Sequence, residues 1–136
     1  MAETDFTIRV EFEKADDRGR FVRGFASVVE KDGKAVRDHQ GDRIEIDDLR
    51  KALHGYIKDA RVAKVMHAGS VAGEIVEAVM IDDDFAKALG IADTRRGAWI
   101  TMEVHDEVAQ KRVRSGDLKA FSIGGRGKRE DDSDEA

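Results

Sequence analysis

Phe6-Thr-Ile-Arg-Val-Glu-Phe12 alternates apolar and polar residues, so that Phe6, Ile8, Val10 and Phe12 share one face. Successive side chains of a strand point to opposite faces, and that period sorts this stretch into one buried and one wet side. The same reading extends outward. Arg20 to Val29 sets Phe21, Phe25 and Ser27 against Val22 and Ala26, and is predicted to pair with the first strand as a hairpin across the turn Asp16-Asp-Arg-Gly19. Val62 to Met66, Gly73 to Ile81, Ala98 to Val104 and Lys119 to Gly127 read as further strands. Proline is absent, so glycines and short charged clusters punctuate the chain.

Helices fall between these strands. Asp47 reads as the N-cap of a helix to about Asp59, whose Leu49, Ala52, Leu53, Tyr56 and Ile57 form one apolar stripe. Asp83 or Asp84 caps a short helix closed by Gly90, and Asp106 starts another over Glu107 to Arg114 that ends at Gly116. Glu30 to Arg43, polar and glycine-bearing, is predicted as a long loop. Six or so mostly antiparallel strands with two or three short helices, and no regular strand–helix alternation, make an α+β fold. We expect a barrel-like core, closed or nearly closed, with helices at its rim. Residues 1–129 form one domain in this reading, and the acidic residues 130–136 a disordered tail.

Composition narrows the function. The 136 residues are 40% apolar and 39% charged, enough for one modest core under a densely solvated surface. No apolar run approaches the ~20 residues that cross a bilayer, so no membrane association is expected. Met1 to Asp5 lacks the basic start and apolar stretch of a secretory signal. Without cysteine there are no disulfides, thiolate nucleophiles or cysteine metal sites, a composition that suits a reducing cytoplasm. The net charge of −5 does not favour nucleic acid, and the basic stretch Arg126-Gly-Lys-Arg129 carries no interleaved aromatic for base stacking.

The remaining nucleophiles are Ser, Thr, Lys and carboxylates, and the natural activating bases are the four histidines. His39 lies in the polar loop, His54 on the polar side of the first helix, and His105 before a helix start; each reads as a surface residue. His67 closes an apolar strand and opens a glycine-containing turn, where a rigid element can aim an imidazole. A half-buried histidine satisfied by backbone is the blander reading, and His67 alone favours it. Ser122 lies in Ala120-Phe-Ser-Ile-Gly-Gly125, an apolar strand followed by two glycines whose amides are suited to an oxyanion. Close strand packing is the competing account of those glycines. Ser70 reads as a turn residue. No histidine pair has metal-ligand spacing, and Asp38-His-Gln-Gly-Asp42 falls short of a calcium loop. No phosphate-binding loop, dinucleotide turn or nucleophile elbow is present.

Taken in order, several motifs resemble the prohead (capsid-maturation) serine proteases of tailed phages, in the XkdF-like branch. They are Asp38-His-Gln-Gly-Asp42 before the amphipathic helix, Val65-Met-His67 with Gly73-Glu-Ile-Val-Glu77 behind it, and Gly97-Ala-Trp99. Val113-Arg-Ser-Gly-Asp-Leu118 and Phe121-Ser-Ile-Gly-Gly125 complete the set, which spans Gly24 to Arg129. The resemblance implies a fold related to the herpesvirus assemblins, with His67 as general base and Ser122 as nucleophile. By their position beyond the serine, Gly124 and Gly125, with Arg126, are our candidates for stabilising the oxyanion, and no metal or cofactor is expected. The implied role is cleavage of scaffold and major capsid protein segments inside the prohead, in the host bacterial cytoplasm. Self-processing and a homo-oligomeric state go with it.

The third member of the catalytic triad is open: Asp42, Glu74, Glu103, a residue beyond the C-terminus, or none, the pair then working as a dyad. The alternatives are a non-catalytic capsid-assembly or scaffold-associated protein of the same fold, a nucleic-acid-binding β-barrel using Arg95, Arg96, Arg126, Lys128 and Arg129, and a metal hydrolase.

Overall fold

A computed structural model of the protein describes the backbone of residues 3–37, 41, 43–60, 64–67 and 70–128, and their side chains except at 3–7, 59–60, 64–67, 70 and 124–128. The strands are β1 (Glu3–Glu11), β2 (Lys14–Ala15), β3 (Phe21–Lys31), β4 (Lys34–Ala35), β5 (Lys64–His67), β6 (Ser70–Ile81), β7 (Arg96–Val104) and β8 (Ala120–Lys128). The helices are α1 (Ile46–Gly55), α2 (Asp83–Leu89) and α3 (Glu107–Ser115). All ladders are antiparallel, in one eight-stranded sheet of order β1-β8-β5-β6-β7-β3-β2, with β4 beside β3. The class is α+β, as the sequence pattern predicts.

The first hairpin is not formed. β1 pairs with β8 along its whole length and β3 pairs with β7. Burial explains the choice, because the β1–β8 register sets Ile8 against Ile123 and Val10 against Phe121, all on the core side. The chain then passes from one end of the sheet to the other. Phe12 N donates to Lys119 O at 2.8 Å, and Glu13 N to Arg23 O at 2.8 Å, as β1 gives way to β2 on β3. Gly24 permits that crossing, since a Cβ there would collide with the Glu11 carbonyl. The sheet is not closed into a barrel, so barrel-like describes the core only loosely.

Among the described residues, Val10, Val22, Ile100, Met102, Val104 and Phe121 are the largest fully buried side chains. Phe12 meets Phe121 edge-on with ring centroids 4.9 Å apart. Ala109 and Val113 of α3, followed by Leu118, join the same core. Asp106 caps α3 by accepting from Val108 N, and Gly116 ends it in the left-handed conformation, as the sequence predicts.

Two details of the other helices differ. Asp82, one residue before the expected cap, accepts from Phe85 N and starts α2. α1 begins at Ile46 after Glu45, which makes no side-chain cap, and Asp47 in its first turn instead pairs with Arg50 at 3.0 Å. The helix continues as a π-helical turn, Tyr56–Ala60. Arg50 also holds Asp82, which ties α1 to the start of α2. The long polar loop contains a small hairpin, with β3 and β4 joined through Asp32 and Gly33 at positive φ. No helix among the described residues is long and apolar enough to cross a membrane.

Candidate active site

Ser122 owes its environment to the period of β8. Phe121 and Ile123 are 2% and 4% exposed and turned into the core, whereas Ser122 between them is half-buried on the opposite face. Two strands flank it. On one side Arg9 of β1 is its partner, and on the other Met66 of β5. Val65 pairs with Ile123 and Lys64 with Gly124, so β5 is a short central strand pressed directly against the serine-bearing one.

His67 is the last residue of β5, one position beyond the partner of Ser122, and it pairs with Ser70 as the chain enters β6. In a regular ladder directly opposed residues share a face and successive residues alternate. Met66 is therefore the position level with Ser122, and a contact between His67 and Ser122 depends on the chain leaving the regular strand geometry at His67. The His67 side chain lies outside the described residues. So do the side chains of Gly125 and Arg126, whose backbones pair with Phe6 and Asp5. Gly124 stands opposite Thr7 on one side and Lys64 on the other, where the β5 ladder ends.

Of the candidate third members, Asp42 lies outside the described residues. Glu74 on β6 pairs with Lys64 of β5 on one side and with Glu103 of β7 on the other. Both carboxylates face His105, whose Nε2 lies 3.1 Å from Glu103 Oε1 and 3.5 Å from Glu74 Oε1. Arg20 donates to Glu103 Oε2 from Nε at 3.0 Å and from Nη2 at 2.8 Å. Arg20, and after it His105, hold the Glu103 carboxyl below its ordinary pKa. A carboxylate so engaged is a poor free partner for a distant base; Glu74, with the longer contact, is less committed.

His105 reads from sequence as a surface residue ahead of a helix, and this cluster is what that reading missed. The signal is Glu103 near the end of β7, with Glu74 directly across the ladder, and His105 one residue beyond the strand's last residue Val104. The three side chains bring ligand atoms within 4.8 Å of one another, a donor set with the chemistry to hold a divalent cation. The Arg20 guanidinium already neutralises part of that charge. Beside the cluster, Arg18, Arg20, Glu103, Val104, His105 and Gln110 line an open recess of ≈ 420 Å³. Gln110 Nε2 donates to Val104 O at 2.7 Å, and His105 N to Ala72 O at 2.8 Å, so the end of β7 is anchored to α3 and β6.

The remaining candidates lie elsewhere. His54 is exposed on α1, and His39 and Arg129 lie outside the described residues. Arg95 and Arg96, offered above as nucleic-acid contacts, are engaged by carboxylates. Arg95 binds Glu13 at 2.6 Å and Asp93 at 2.7 Å and stacks 4.7 Å over the Phe25 ring, and Arg96 binds Asp83 at 2.8 Å.

Residues 8–131 match the family described as "Putative phage serine protease XkdF". The chain belongs to that family. It is 28% identical over 120 residues to a Bacillus subtilis protein described as "Uncharacterized protein YqbD". It is 25% identical over 119 residues to "Phage-like element PBSX protein XkdF" of the same organism. Both alignments take in 87% of this chain but only 34% and 41% of those relatives, so the chain spans well under half their length. No solved structure matches. The matched region of this XkdF family member runs from within β1 to beyond β8 and so includes Ser122 and both strands that flank it.

Proposed function

We propose that this chain is a serine endopeptidase that cleaves scaffold and major capsid protein segments during phage head maturation, with Ser122 as nucleophile and His67 as general base. The observation that supports the reading is that Ser122 lies half-buried on the face turned away from the core, on the strand beside β5, whose last residue is His67. Ser122 Oγ attacks the scissile carbonyl carbon while His67 takes the hydroxyl proton. The tetrahedral intermediate collapses with cleavage of the C–N bond, and His67 returns the proton to the leaving amine. Water then attacks the acyl-serine by the same proton path in reverse.

Amides at Gly124, the last position paired with β5, and at Gly125 beyond it are our candidates for the oxyanion donors, with Arg126 next in sequence. Asp42 or Glu74 is the candidate partner for the second imidazole nitrogen, and Glu103 a weaker one because Arg20 already holds it. The setting we propose is the interior of the prohead in the host cytoplasm, with the protease acting as a homo-oligomer and processing itself.

The test is a serine-reactive fluorophosphonate followed by intact mass, on the wild type, Ser122→Ala and His67→Ala. One adduct on the wild type, lost in both variants, is the expected result. Wild type that neither labels nor cuts co-expressed scaffold protein would remove the catalytic assignment and leave an assembly protein of the same fold.

A further inference from the structure

We propose that Arg9 is a specificity residue that selects an acidic side chain next to the bond cleaved at Ser122. This inference rests on Ser122 being the nucleophile, and it adds the chemical class of the substrate.

Arg9 is the direct cross-strand partner of Ser122. Its neighbours on β1, Ile8 and Val10, pack into or against the core, so Arg9 lies on the opposite, water-facing side, the side that Ser122 faces. Directly opposed side chains start about 5 Å apart at Cβ. An arginine extends about 6 Å beyond its Cβ, and an extended peptide advances about 3.3 Å per residue. The guanidinium therefore covers one or two substrate residues on either side of a bond placed at Ser122.

The charge of Arg9 is available there. Among the described residues it pairs with Glu11, the next residue on the same face of β1, at 3.9 Å between Nε and Oε1, with side chains 71% and 79% exposed. That pair is long and water-screened, so a substrate carboxylate meeting the guanidinium in a two-pronged geometry outcompetes it. Arg20, Arg50, Arg95 and Arg96 differ, since each is held by a carboxylate at 3.0 Å or less. Glu11 sits opposite Ala120, on one side of Ser122 only, and repels acidic groups there. The favoured acidic residue thus falls on the Gly124 side.

The experiment compares cleavage of otherwise identical peptides carrying Glu, Gln or Lys at each of the two positions flanking the scissile bond. The enzymes are the wild type, Arg9→Gln, Arg9→Glu and Glu11→Gln. We expect the wild type to favour Glu over Gln about five- to tenfold in kcat/KM, the scale of one partly exposed charged contact. Arg9→Gln brings the ratio close to one, Arg9→Glu shifts the preference to Lys, and Glu11→Gln raises the preference for Glu. Fluorophosphonate labelling of the same wild-type preparation separates the two layers of the argument. Labelling at Ser122 with no acidic preference, or with a preference that Arg9→Gln leaves in place, overturns the Arg9 assignment alone. Neither labelling nor cleavage overturns the protease reading and Arg9 with it.

Discussion

Gly73→Ala is the substitution whose cost the structure fixes most closely. Gly73 lies in β6 between Val65 of β5 and Val104 of β7. A Cβ there would stand 2.9 Å from the Glu103 carbonyl carbon and 3.2 Å from Val104 Cα, and it would run into the Glu103 carbonyl oxygen. These are backbone atoms of a buried central strand, so no rotamer change relieves the clash. Overpacking of this kind costs about 1–3 kcal/mol, and we expect about 3 because only a backbone shift can absorb it. With a urea m-value of about 2 kcal/mol/M for a domain of this size, the midpoint should fall by about 1.5 M. Trp99, the one tryptophan, sits on β7 against the Phe25 ring and reports the transition by fluorescence. Gly55→Ala is the control: nothing lies within 4 Å of a Cβ there, and in a helix alanine should gain about 0.5–1 kcal/mol. Because Gly73 pairs with the strand that supports Ser122, labelling by fluorophosphonate should also slow. A Gly73→Ala midpoint within about 0.3 M of wild type would refute the close approach of β6 and β7.

Phe121→Ala removes a 2%-exposed ring that packs on Phe12 and should cost about 3–5 kcal/mol in the same urea assay, whereas Phe121→Leu should cost much less. Asp93 gives a pH signature. Arg95 donates to it from side chain and backbone, and its pKa falls from 3.8 to about 2. A depressed carboxyl stabilises fully above its unfolded pKa and loses that contribution as pH falls through the folded one. The stability difference between wild type and Asp93→Asn should therefore be constant above about pH 5, shrink below about pH 4 and be mostly lost by about pH 2, as read by urea midpoints; a difference as large at pH 2 as at pH 5 would mean the ion pair is not its source.

Local signals in the sequence place most of the elements, and the pairing of β1 is where they fail. Asp106 and Gly116 mark α3 to within a residue because a cap and a left-handed glycine are chemistry of the chain next to them. The choice of partner for β1 is set instead by matching Ile8 and Val10 to Ile123 and Phe121, residues more than a hundred positions away. A hairpin rule that joins neighbours across a short turn has no access to that match. The same limit applies at the site. Ser122 is legible as a polar residue between two core residues, but Arg9 as its partner and Glu74 as the neighbour of Glu103 follow only from the ladder.

The family motifs themselves divide between scaffold and chemistry. Gly97 of the Gly97-Ala-Trp99 motif behaves as Gly73 does: a Cβ there would meet the Ser27 carbonyl carbon at 2.9 Å and Val28 Cα at 3.0 Å, where β3 carries register shifts. Gly24, at the start of the stretch that the motifs span, admits the Glu11 carbonyl. These three glycines let neighbouring backbones approach more closely than any side chain allows, on β3, β6 and β7. None of them bears a reactive group, and each is explained by sheet geometry alone. Phe121-Ser-Ile-Gly-Gly125 is different in kind. Its apolar members satisfy the core, while its serine is set on the wet face between a cationic partner and a central strand. Packing requires no hydroxyl there, since alanine would fill the half-buried position as well. A serine that the fold does not need is the residue on which a functional test discriminates best, and Ser122→Ala should accordingly leave the urea midpoint nearly unchanged while it abolishes the adduct.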